Sequence, residues 1–252
     1  MTTIESAAAD PQRVAVVTGG SRGIGRAVAA QLARDGFGVV VGYAGRADAA
    51  EETVADIASV GGRAIAVQAD VADERAVAVL FDRAEGRLGG VDAVVNCAGW
   101  AAFATVADLD LAELDAMHRT NIRGHFVVAQ QAARRLRPGG SFVAFSTSVV
   151  GTQFPTYGGY AASKAAVEAV TLVLARELRG RDVTVNTVAP GPTATEGFLT
   201  GKTEEQLATL TKAPALERLG TPQDIANVVA FLVSAEGHWI NGQVLRANGG
   251  MI

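Results

Sequence analysis

Cysteine and histidine are scarce in this sequence of 252 residues. Cys97 is the single cysteine, which excludes an internal disulfide framework and fits a reducing compartment, so we expect a cytoplasmic protein. The three histidines, His118, His125 and His238, lack the paired spacing of a metal site. We therefore expect no bound metal.

An excess of positive charge and long apolar runs are also missing. The formal net charge is -4 and the pI is near 5.4, which gives no reason to expect nucleic acid or an anionic membrane surface as a partner. No segment approaches the unbroken apolar length of a membrane span. Residues 1–10 have neither a basic start nor an apolar core, so a disordered tail is predicted there rather than a signal peptide. A small-molecule partner is the expectation that remains.

What the sequence does contain is a regular alternation of two patterns. Short apolar runs rich in β-branched residues, typical of strands buried on both faces, recur at 14–18, 39–43, 64–68, 91–96, 141–146, 183–188 and 243–246. Helical stretches lie between them, with starts indicated by Asp48 with Glu51, Asp110 with Glu113, Thr203 with Gln206, and Thr221-Pro222 with Asp224. The alternation predicts one α/β domain over residues 11–252, with a doubly wound parallel sheet and helices on both faces. The ligand should lie at the carboxyl ends of the strands, beneath an irregular lid at about 191–214.

A glycine-rich loop follows the first predicted strand and opens a helix that runs to about Asp35. Its backbone N–H groups and the helix N-terminus are suited to a dinucleotide pyrophosphate, with the contacts expected from Gly19, Ser21, Arg22, Gly23, Ile24 and Gly25. The same letters also fit the G-x-S-x-G elbow of a serine hydrolase, with Ser21 as nucleophile and His238 as base. Only one strand precedes this loop, whereas that elbow follows several, so the dinucleotide interpretation is favoured.

The end of the second predicted strand indicates which dinucleotide binds. Tyr43 and Ala44 lie at this position without the carboxylate that a free ribose 2′-hydroxyl would need. Arg46 and Arg22 instead provide guanidinium groups suited to a 2′-phosphate, although both could be solvated surface residues. The nearest acid, Asp48, is expected to cap a helix. NADP is therefore predicted in preference to NAD.

From about residue 13 to residue 250 the sequence resembles the short-chain dehydrogenase/reductase family. The matching stretches, in order, are TGGSRGIG at 18–25, Asp70-Val71, NCAG at 96–99, Asn121, Ser148, Tyr160 with Lys164, and PGPTAT at 190–195. The subgroup that it resembles most is that of NADPH-dependent aldehyde or 3-ketoacyl reductases. The resemblance implies a single-domain Rossmann-type fold and a family-typical homotetramer.

The resemblance also implies how a cofactor is held. Asp70, followed by Val71, would meet the adenine amino group. Asn96, Ala98 and Gly99 would run beneath the adenine-side ribose. The nicotinamide carboxamide would be held by Pro190, Gly191, Thr193 and Thr195. Cys97 and Asn248 depart from the family pattern, but at positions that are not expected to do chemistry.

Tyr160 and Lys164 are four residues apart, so both project from one helix face. A free tyrosine, with a pKa near 10, needs a nearby cation to stabilise its phenolate, and Lys164 can supply it. The resemblance implies that Tyr160 donates a proton to a carbonyl oxygen that receives hydride, and that Lys164 also holds the nicotinamide ribose. It further implies that Asn121 binds a relay water.

A serine that hydrogen-bonds the carbonyl oxygen completes the implied site. Ser148 is assigned to this role because Ser148-Val149-Val150-Gly151 matches the family serine and the residues after it. It stands twelve residues before Tyr160, whereas thirteen is usual. Thr147 stands at thirteen and Ser146 at fourteen.

Large apolar side chains in the loops after the fourth and fifth strands and in the lid predict a substrate pocket. It would be lined by Trp100, Val150, Phe154, Tyr157 and Phe198, each of which could instead be a loop anchor. We therefore expect a neutral aldehyde or ketone as substrate. The alternatives are a 3-ketoacyl thioester reductase, an alcohol dehydrogenase running oxidatively, and a non-enzymatic NADP(H)-binding sensor.

Overall fold

The computed structural model describes residues 13–252, so the tail predicted at 1–10 lies outside the described residues. Within them, seven strands form one parallel sheet in the order β3-β2-β1-β4-β5-β6-β7. The strands are β1 Val14–Thr18, β2 Gly38–Tyr43, β3 Arg63–Gln68, β4 Ala93–Asn96, β5 Ser141–Phe145, β6 Thr184–Pro190 and β7 Val244–Ala247. The predicted doubly wound parallel sheet is confirmed, with every predicted strand within two residues of its observed bounds.

Helices cover both faces of this sheet. They are α1 Gly23–Arg34, α2 Ala47–Ser59, α3 Glu74–Leu88, α4 Leu111–His118, α5 Gly124–Arg135, α6 Val149–Thr152, α7 Gly158–Glu177, α8 Glu196–Leu199, α9 Glu204–Lys212 and α10 Pro222–Leu232. Alternate residues of each strand point to opposite faces, so β1 sends Val14 and Val16 into the core beneath α3, α5 and α7. Ala15 and Val17 pack in the second core beneath α1, α2 and α10. No helix within residues 13–252 is long and apolar enough to span a membrane.

The prediction that the strands are buried on both faces was wrong for the two edge strands. Every residue of β1, β4, β5 and β6 is buried, whereas β3 and β7 are only partly buried along their length. These two strands stand at the ends of the sheet, where fewer helices cover them. Apolar composition alone therefore does not distinguish a central strand from an edge strand.

Three of the four predicted helix starts are confirmed. Asp110 accepts a hydrogen bond from the Ala112 amide. Thr203 with Gln206 and Thr221 with Asp224 form reciprocal capping boxes. The start at Asp48 was wrong, because α2 begins at Ala47 and the Asp48 carboxylate is bound by Arg46.

The fold brings the carboxyl ends of β1, β4, β5 and β6 to one edge of the sheet. Chain order runs outward from β1 to β3 and then returns to β4 on the other side of β1. In doubly wound folds a crevice forms at such a reversal. Segment 191–214, which contains α8 and α9, follows β6 at the same edge.

Candidate active site

The glycine loop is built from positions that cannot carry a side chain. Gly19 has a φ of +63°, and a Cβ there would lie 3.1 Å from the Ala98 backbone. A Cβ on Gly25 would collide with the carbonyl oxygen of Gly19. Gly23 has a φ of +53°, and a Cβ there would lie 3.3 Å from Cγ2 of Thr195. The loop is therefore pressed between the end of β4 and the start of the lid segment.

The N-terminus of α1 is open to an anion. Arg22 is its N-cap in extended backbone, and its side chain makes no capping hydrogen bond. Uncapped N–H groups at the start of a twelve-residue helix suit a pyrophosphate. Ser21 is buried in the loop, and Ile24 packs against the core beneath α1. The predicted phosphate-binding loop thus has the backbone that a dinucleotide needs.

The hydrolase alternative fails on position. His238 does pair with an acid, since its Nε2 lies 2.8 Å from Asp182 Oδ1. Asp182, however, precedes β6, whereas Ser21 follows β1. In a parallel sheet these two positions lie at opposite ends of the strands. His238, which is paired with Asp182, is therefore not beside Ser21.

At the end of β2 the predicted cation carries a local counter-ion. Nε and Nη2 of Arg46 each lie 3.1 Å from a carboxylate oxygen of Asp48, and both side chains are more than half exposed. Hydrogen bonding to Asp48 raises the pKa of the Arg46 guanidinium. Two hydrogen bonds fix the turn. The Tyr43 carbonyl accepts from the residue that follows β3, and the Ala44 carbonyl accepts from the side chain of the last residue of β3. Arg22 is also exposed, in the crossover between β1 and β2.

Asp70 is held by two partners. Its Oδ1 accepts from the Ala72 amide at 2.9 Å, and its Oδ2 pairs with Arg119 at 2.7 Å. Partial burial raises the pKa of the Asp70 carboxyl, but these two hydrogen bonds outweigh burial and the pKa is lowered. Val71 beside it is buried against Gly124 of α5. The carboxylate therefore remains ionised, as acceptance from an adenine amino group requires.

The Asn96 side chain points into the fold rather than outward. Its Oδ1 accepts from Thr18 Oγ1 at 2.6 Å, and its Nδ2 lies 3.3 Å from His125 Nδ1. Thr18 Oγ1 also accepts from the Ala98 amide, which joins the ends of β1 and β4. Burial lowers the pKa of His125 to about 4. Asn96 therefore joins the ends of β1 and β4 through its side chain.

Asn121 lies in a π-helical turn, Arg119–Arg123, between α4 and α5. Its side-chain amide makes three hydrogen bonds, because Oδ1 accepts from Trp100 N while Nδ2 donates to Trp100 O and to Ser163 Oγ. Gly99 fits closely here. A Cβ on it would lie 3.0 Å from Asn121 Oδ1 and 3.1 Å from Lys164 Nζ. The structure therefore brings Asn121, Lys164 and the end of β4 together, as predicted.

Tyr160 and Lys164 both lie in the first two turns of α7. Lys164 is 6% exposed, and its Nζ donates to the Phe145 carbonyl at 3.0 Å and lies 6.0 Å from the centre of the Tyr160 ring. Burial lowers the pKa of Lys164 to about 8. Burial raises the pKa of Tyr160 to about 12, against a hydrogen bond with Thr147 that lowers it.

Ser148 has two partners within the fold. Its Oγ donates to the Ala189 carbonyl at 3.2 Å and accepts from Asn248 Nδ2 at 3.0 Å.

The residues predicted at the nicotinamide lie at the end of β6 and the start of the lid. Pro190 ends β6, and its carbonyl accepts from Ser148 N. Thr193 Oγ1 donates to the Gly191 carbonyl at 3.0 Å. Thr195 caps α8 by accepting from Phe198 N, and it lies against the glycine loop. Of these residues, Thr195 is the one that the structure places against the glycine loop.

The predicted apolar pocket is only partly brought together. Phe154 and Tyr157 have ring centres 6.0 Å apart. Phe103, which was not predicted, packs 4.4 Å from Tyr157 and 6.0 Å from Tyr160. Trp100 donates its indole N–H towards Thr120, Phe198 lies beneath Lys202, and Val150 is partly buried.

A family model described as enoyl-(acyl carrier protein) reductase matches residues 19–252. A short-chain type dehydrogenase/reductase from Picea abies is 45% identical over 250 residues, which cover 95% of this chain and 92% of that protein. The chain belongs to the short-chain dehydrogenase/reductase family. Membership makes it an enzyme of the oxidoreductase class, as the resemblance implied.

Two further members of the short-chain dehydrogenase/reductase family are similar over nearly their whole length. The chloroplastic NADPH-dependent aldehyde reductase 2 of Arabidopsis thaliana is 44% identical, over 95% of this chain and 94% of that protein. The crystal structure of a short chain dehydrogenase from Burkholderia cenocepacia in complex with NADP has a TM-score of 0.89 and 41% identity. That similarity covers 95% of this chain and 97% of the other.

Sequence reasoning missed several neighbours of the site in this short-chain dehydrogenase/reductase. Phe103 had a signal, since it follows Trp100 by three residues in the same predicted loop. Arg119, which holds Asp70, is separated from it by 49 residues and had none. Asn248 was noted only as a departure from the family pattern, and its contact with Ser148 spans 100 positions. Long-range pairs of this kind become visible only in the folded chain.

Proposed function

We propose that this protein is an NADPH-dependent reductase that transfers a hydride to the carbonyl of an aldehyde or ketone, with Tyr160 as the general acid. The observation that carries the proposal is the partly buried Tyr160 beside the buried Lys164, both near the carboxyl ends of the strands. NADPH, when bound, supplies the hydride. The remaining chemistry is that of the protein's own side chains.

Proton donation by Tyr160 needs a cation, because burial raises its pKa and makes the phenol a weaker acid than free tyrosine. Its pKa of about 12 keeps the phenol protonated at neutral pH, ready to protonate a carbonyl oxygen. Lys164, with a pKa of about 8, remains mostly charged at pH 7 and can stabilise the phenolate that forms. Its hydrogen bond to the Phe145 carbonyl holds the ammonium in place.

The cofactor assignment rests on the glycine loop, the uncapped α1 and the side chains near the end of β2. No carboxylate precedes Arg46 in the turn after β2, so a ribose 2′-hydroxyl would lack its usual acceptor there. Arg46 can exchange Asp48 for a 2′-phosphate, which carries more charge and more acceptor oxygens. The names of relatives that use NADPH or bind NADP support the same choice.

The surroundings of Tyr160 favour a neutral carbonyl compound. Phe103, Phe154 and Tyr157 form an aromatic group beside it. Lys202 is turned inward, since its Nζ donates to the Phe198 carbonyl at 2.6 Å and lies 4.3 Å above the Phe198 ring. Its charge is therefore not directed at an anionic substrate. Apolar walls with few polar contacts suit a compact hydrophobic aldehyde or ketone.

A 3-ketoacyl thioester is the second candidate substrate. The description of the family model also names a thioester-bound acyl group, although an enoyl reductase reduces a carbon–carbon double bond and not a ketone. The oxidation of an alcohol by the same residues is the reverse of the proposed reaction, and NADPH pools generally favour reduction. A sensor without activity is disfavoured because Asn121, Tyr160 and Lys164 are all present and gathered at one place.

The test is a panel of carbonyl compounds at saturating NADPH, followed by NADPH absorbance. We expect higher kcat/KM for uncharged aromatic or medium-chain aldehydes and ketones than for keto acids or acyl thioesters. Turnover of an acetoacetyl thioester with far higher efficiency than every neutral carbonyl would replace this proposal with the thioester reductase. Absence of turnover with tight NADPH binding would favour the sensor.

We also propose a homotetramer. The exposed faces of α5 and α7 carry Phe126, Leu172 and Val173, which are 52%, 43% and 54% exposed. Apolar side chains on neighbouring helices suit packing across a two-fold axis. A monomeric mass in light scattering at micromolar concentration would refute this assembly. The cytoplasmic location stays a prediction, since two of the relatives are named as chloroplastic proteins.

A further inference from the structure

One short turn of the chain touches both the catalytic residues and the segment after β3. The π-helical turn Arg119–Arg123 carries Asn121, whose side-chain amide donates to the Trp100 carbonyl at 2.8 Å. Two residues earlier, Nη1 of Arg119 lies 2.7 Å from Oδ2 of Asp70. The proposed hydride and proton transfer uses Asn121 but gives no role to Arg119.

Asp70 lies on the side of the sheet where the base of a dinucleotide belongs. From the sheet edge inward, the strand order is β3-β2-β1. A pyrophosphate at the loop after β1 and a 2′-phosphate at Arg46, after β2, would extend the nucleotide towards β3. Asp70 comes two residues after Gln68, the last residue of β3. Its carboxylate is therefore placed to meet the base.

The Asp70 carboxylate is held in one orientation and still has room for a further donor. Its Oδ1 accepts from Ala72 N at 2.9 Å, and its Oδ2 accepts from Arg119 at 2.7 Å. An ionised carboxylate has about four lone-pair sites, so another donor can bind while both oxygens are held. The terminal torsion of an aspartate is otherwise broad. Arg119 therefore restricts how the carboxylate faces its surroundings.

A second arginine of the same turn supports the same segment in another way. Nε of Arg123 donates to the Ala72 carbonyl at 3.2 Å, and its Nη2 lies 2.7 Å from Glu74 Oε1. Arg123 thus holds the backbone and the start of α3, whereas Arg119 holds the carboxylate itself. The two side chains allow support of the segment to be separated from orientation of its acceptor.

Stability alone is a weak reason for the pair of Arg119 and Asp70. Their side chains are 51% and 46% exposed, and exposed ion pairs contribute little to stability. What such a pair does supply is order. An acceptor that is already oriented loses less conformational entropy when a ligand binds to it.

We propose that Arg119 is a positioning residue that orients the Asp70 carboxylate to accept a hydrogen bond from the 6-amino group of the adenine of NADPH. The pair thereby makes the site specific for adenine. A 6-oxo base such as hypoxanthine would place a carbonyl oxygen, an acceptor, against a carboxylate that can only accept. This assignment rests on the proposed cofactor and adds a specificity-determining residue to its site.

The test compares the binding of NADPH with that of its analogue in which hypoxanthine replaces adenine, by fluorescence titration without a carbonyl substrate. Both cofactors carry the same charge, so the ratio of their Kd values cancels the general effect of losing a cation. The wild type should bind NADPH at least about tenfold more tightly, the value of one hydrogen bond to a charged group. Arg119→Ala should weaken NADPH by roughly three- to tenfold, the cost of ordering one side chain, and leave the analogue nearly unchanged.

Three further variants isolate the role of orientation. Arg123→Ala is the matched control, because it removes the same charge from the same turn and should leave the ratio unchanged even if the thermal midpoint falls. Arg119→Lys keeps one donor and should restore part of the ratio. Asp70→Ala should abolish the preference for adenine, and Arg119→Ala added to it should not change the ratio further.

Several results would overturn the assignment. These are an unchanged ratio in folded Arg119→Ala, an equal fall in Arg123→Ala, and a ratio that rises in Arg119→Ala because Arg119 competes with the base for Asp70. Equal binding of the two cofactors by the wild type would overturn it and leave the reductase proposal intact. The expected ratios without turnover of any carbonyl compound would support the assignment and overturn only the substrate proposal.

Discussion

The ammonium group of Lys164 is held 6.0 Å from the centre of the Tyr160 ring by a hydrogen bond to the Phe145 carbonyl. That carbonyl is the last of β5, so the position of the cation is set by a central strand of the sheet. A long flexible side chain thereby becomes a fixed charge. Fixed charges need no rearrangement when a phenolate forms next to them, which is the basis of electrostatic catalysis.

Replacing Tyr160 by phenylalanine tests the acid role. The change removes the proton that the carbonyl oxygen needs, so kcat should fall by roughly 10²- to 10⁴-fold, the usual value of general acid catalysis. NADPH affinity should be largely kept, because Lys164 remains. Lys164→Ala should impair both quantities. Retention of more than about a tenth of wild-type kcat in Tyr160→Phe would contradict the role.

The pH dependence should report Lys164. Its pKa is lowered by burial to about 8, so it loses its charge above that pH, and reduction should slow by about tenfold per pH unit in kcat/KM beyond the midpoint. Tyr160, with a pKa of about 12, does not titrate in this range. If the fall in kcat/KM had its midpoint above pH 10, Lys164 would be excluded as the titrating group.

The titration of Lys164 does not promote unfolding between pH 8 and 10. The folded pKa of Lys164 lies below its unfolded value, so in this window the unfolded chain binds more protons at this site than the folded chain. The contribution of Lys164 to the free energy of unfolding therefore rises with pH while activity falls. Circular dichroism at each pH is the control.

Periodicity predicted the fold well because it depends on local composition. Runs of valine and alanine gave the strands of the sheet, and Thr203 and Thr221 marked helix starts through contacts only three residues long. The glycine loop was readable for the same reason. A Cβ at Gly25 is excluded by Gly19, six residues away.

Contacts between distant segments could not be predicted in this way. The hydrogen bond between Ser148 and Asn248 joins residues 100 positions apart, and the π-helical turn at Asn121 has no sequence signature that we identified. Local patterns also compete with each other: at Asp48 the helix-capping pattern was present, but Arg46, two residues earlier, binds its carboxylate. Local rules therefore indicated candidate residues, whereas the partners of a hydroxyl such as that of Ser148 depended on tertiary contacts.

Arg46 and Asp48 make cofactor selection testable in two directions. Arg46→Ala removes the charge-assisted contact that we propose for the 2′-phosphate, so the preference for NADPH over NADH should narrow by roughly tenfold. Asp48→Asn frees Arg46 from its counter-ion and should widen that preference. Titration of each variant with both cofactors is the measurement. Equal affinity of the wild type for NADH would contradict the assignment.

Gly25→Ala should disrupt the loop that binds the pyrophosphate. The new Cβ would collide with the Gly19 carbonyl, and neither backbone can move freely, so we expect a loss of about 1–3 kcal/mol of stability and of NADPH binding. Gly86→Ala is the matched control, since a Cβ there meets nothing within 4 Å and Gly86 lies inside α3. That control should be neutral or stabilising by about 0.5–1 kcal/mol. If Gly25→Ala left both the thermal midpoint and the NADPH affinity unchanged, the close packing of Gly25 against Gly19 would be refuted.

Phe103 provides the test of the apolar pocket. Its ring lies 4.4 Å from Tyr157 and 6.0 Å from Tyr160, yet it is 51% exposed, which leaves a face for a substrate ring. Phe103→Ala should lower kcat/KM for an aromatic aldehyde by about tenfold, because apolar contact of this size is worth roughly 1–3 kcal/mol, and should change that for acetaldehyde much less. Phe231→Ala, at a 45% exposed phenylalanine on α10, is the control and should alter neither value. Equal losses for both aldehydes would mean that Phe103 supports the position of Tyr160 instead of contacting the substrate.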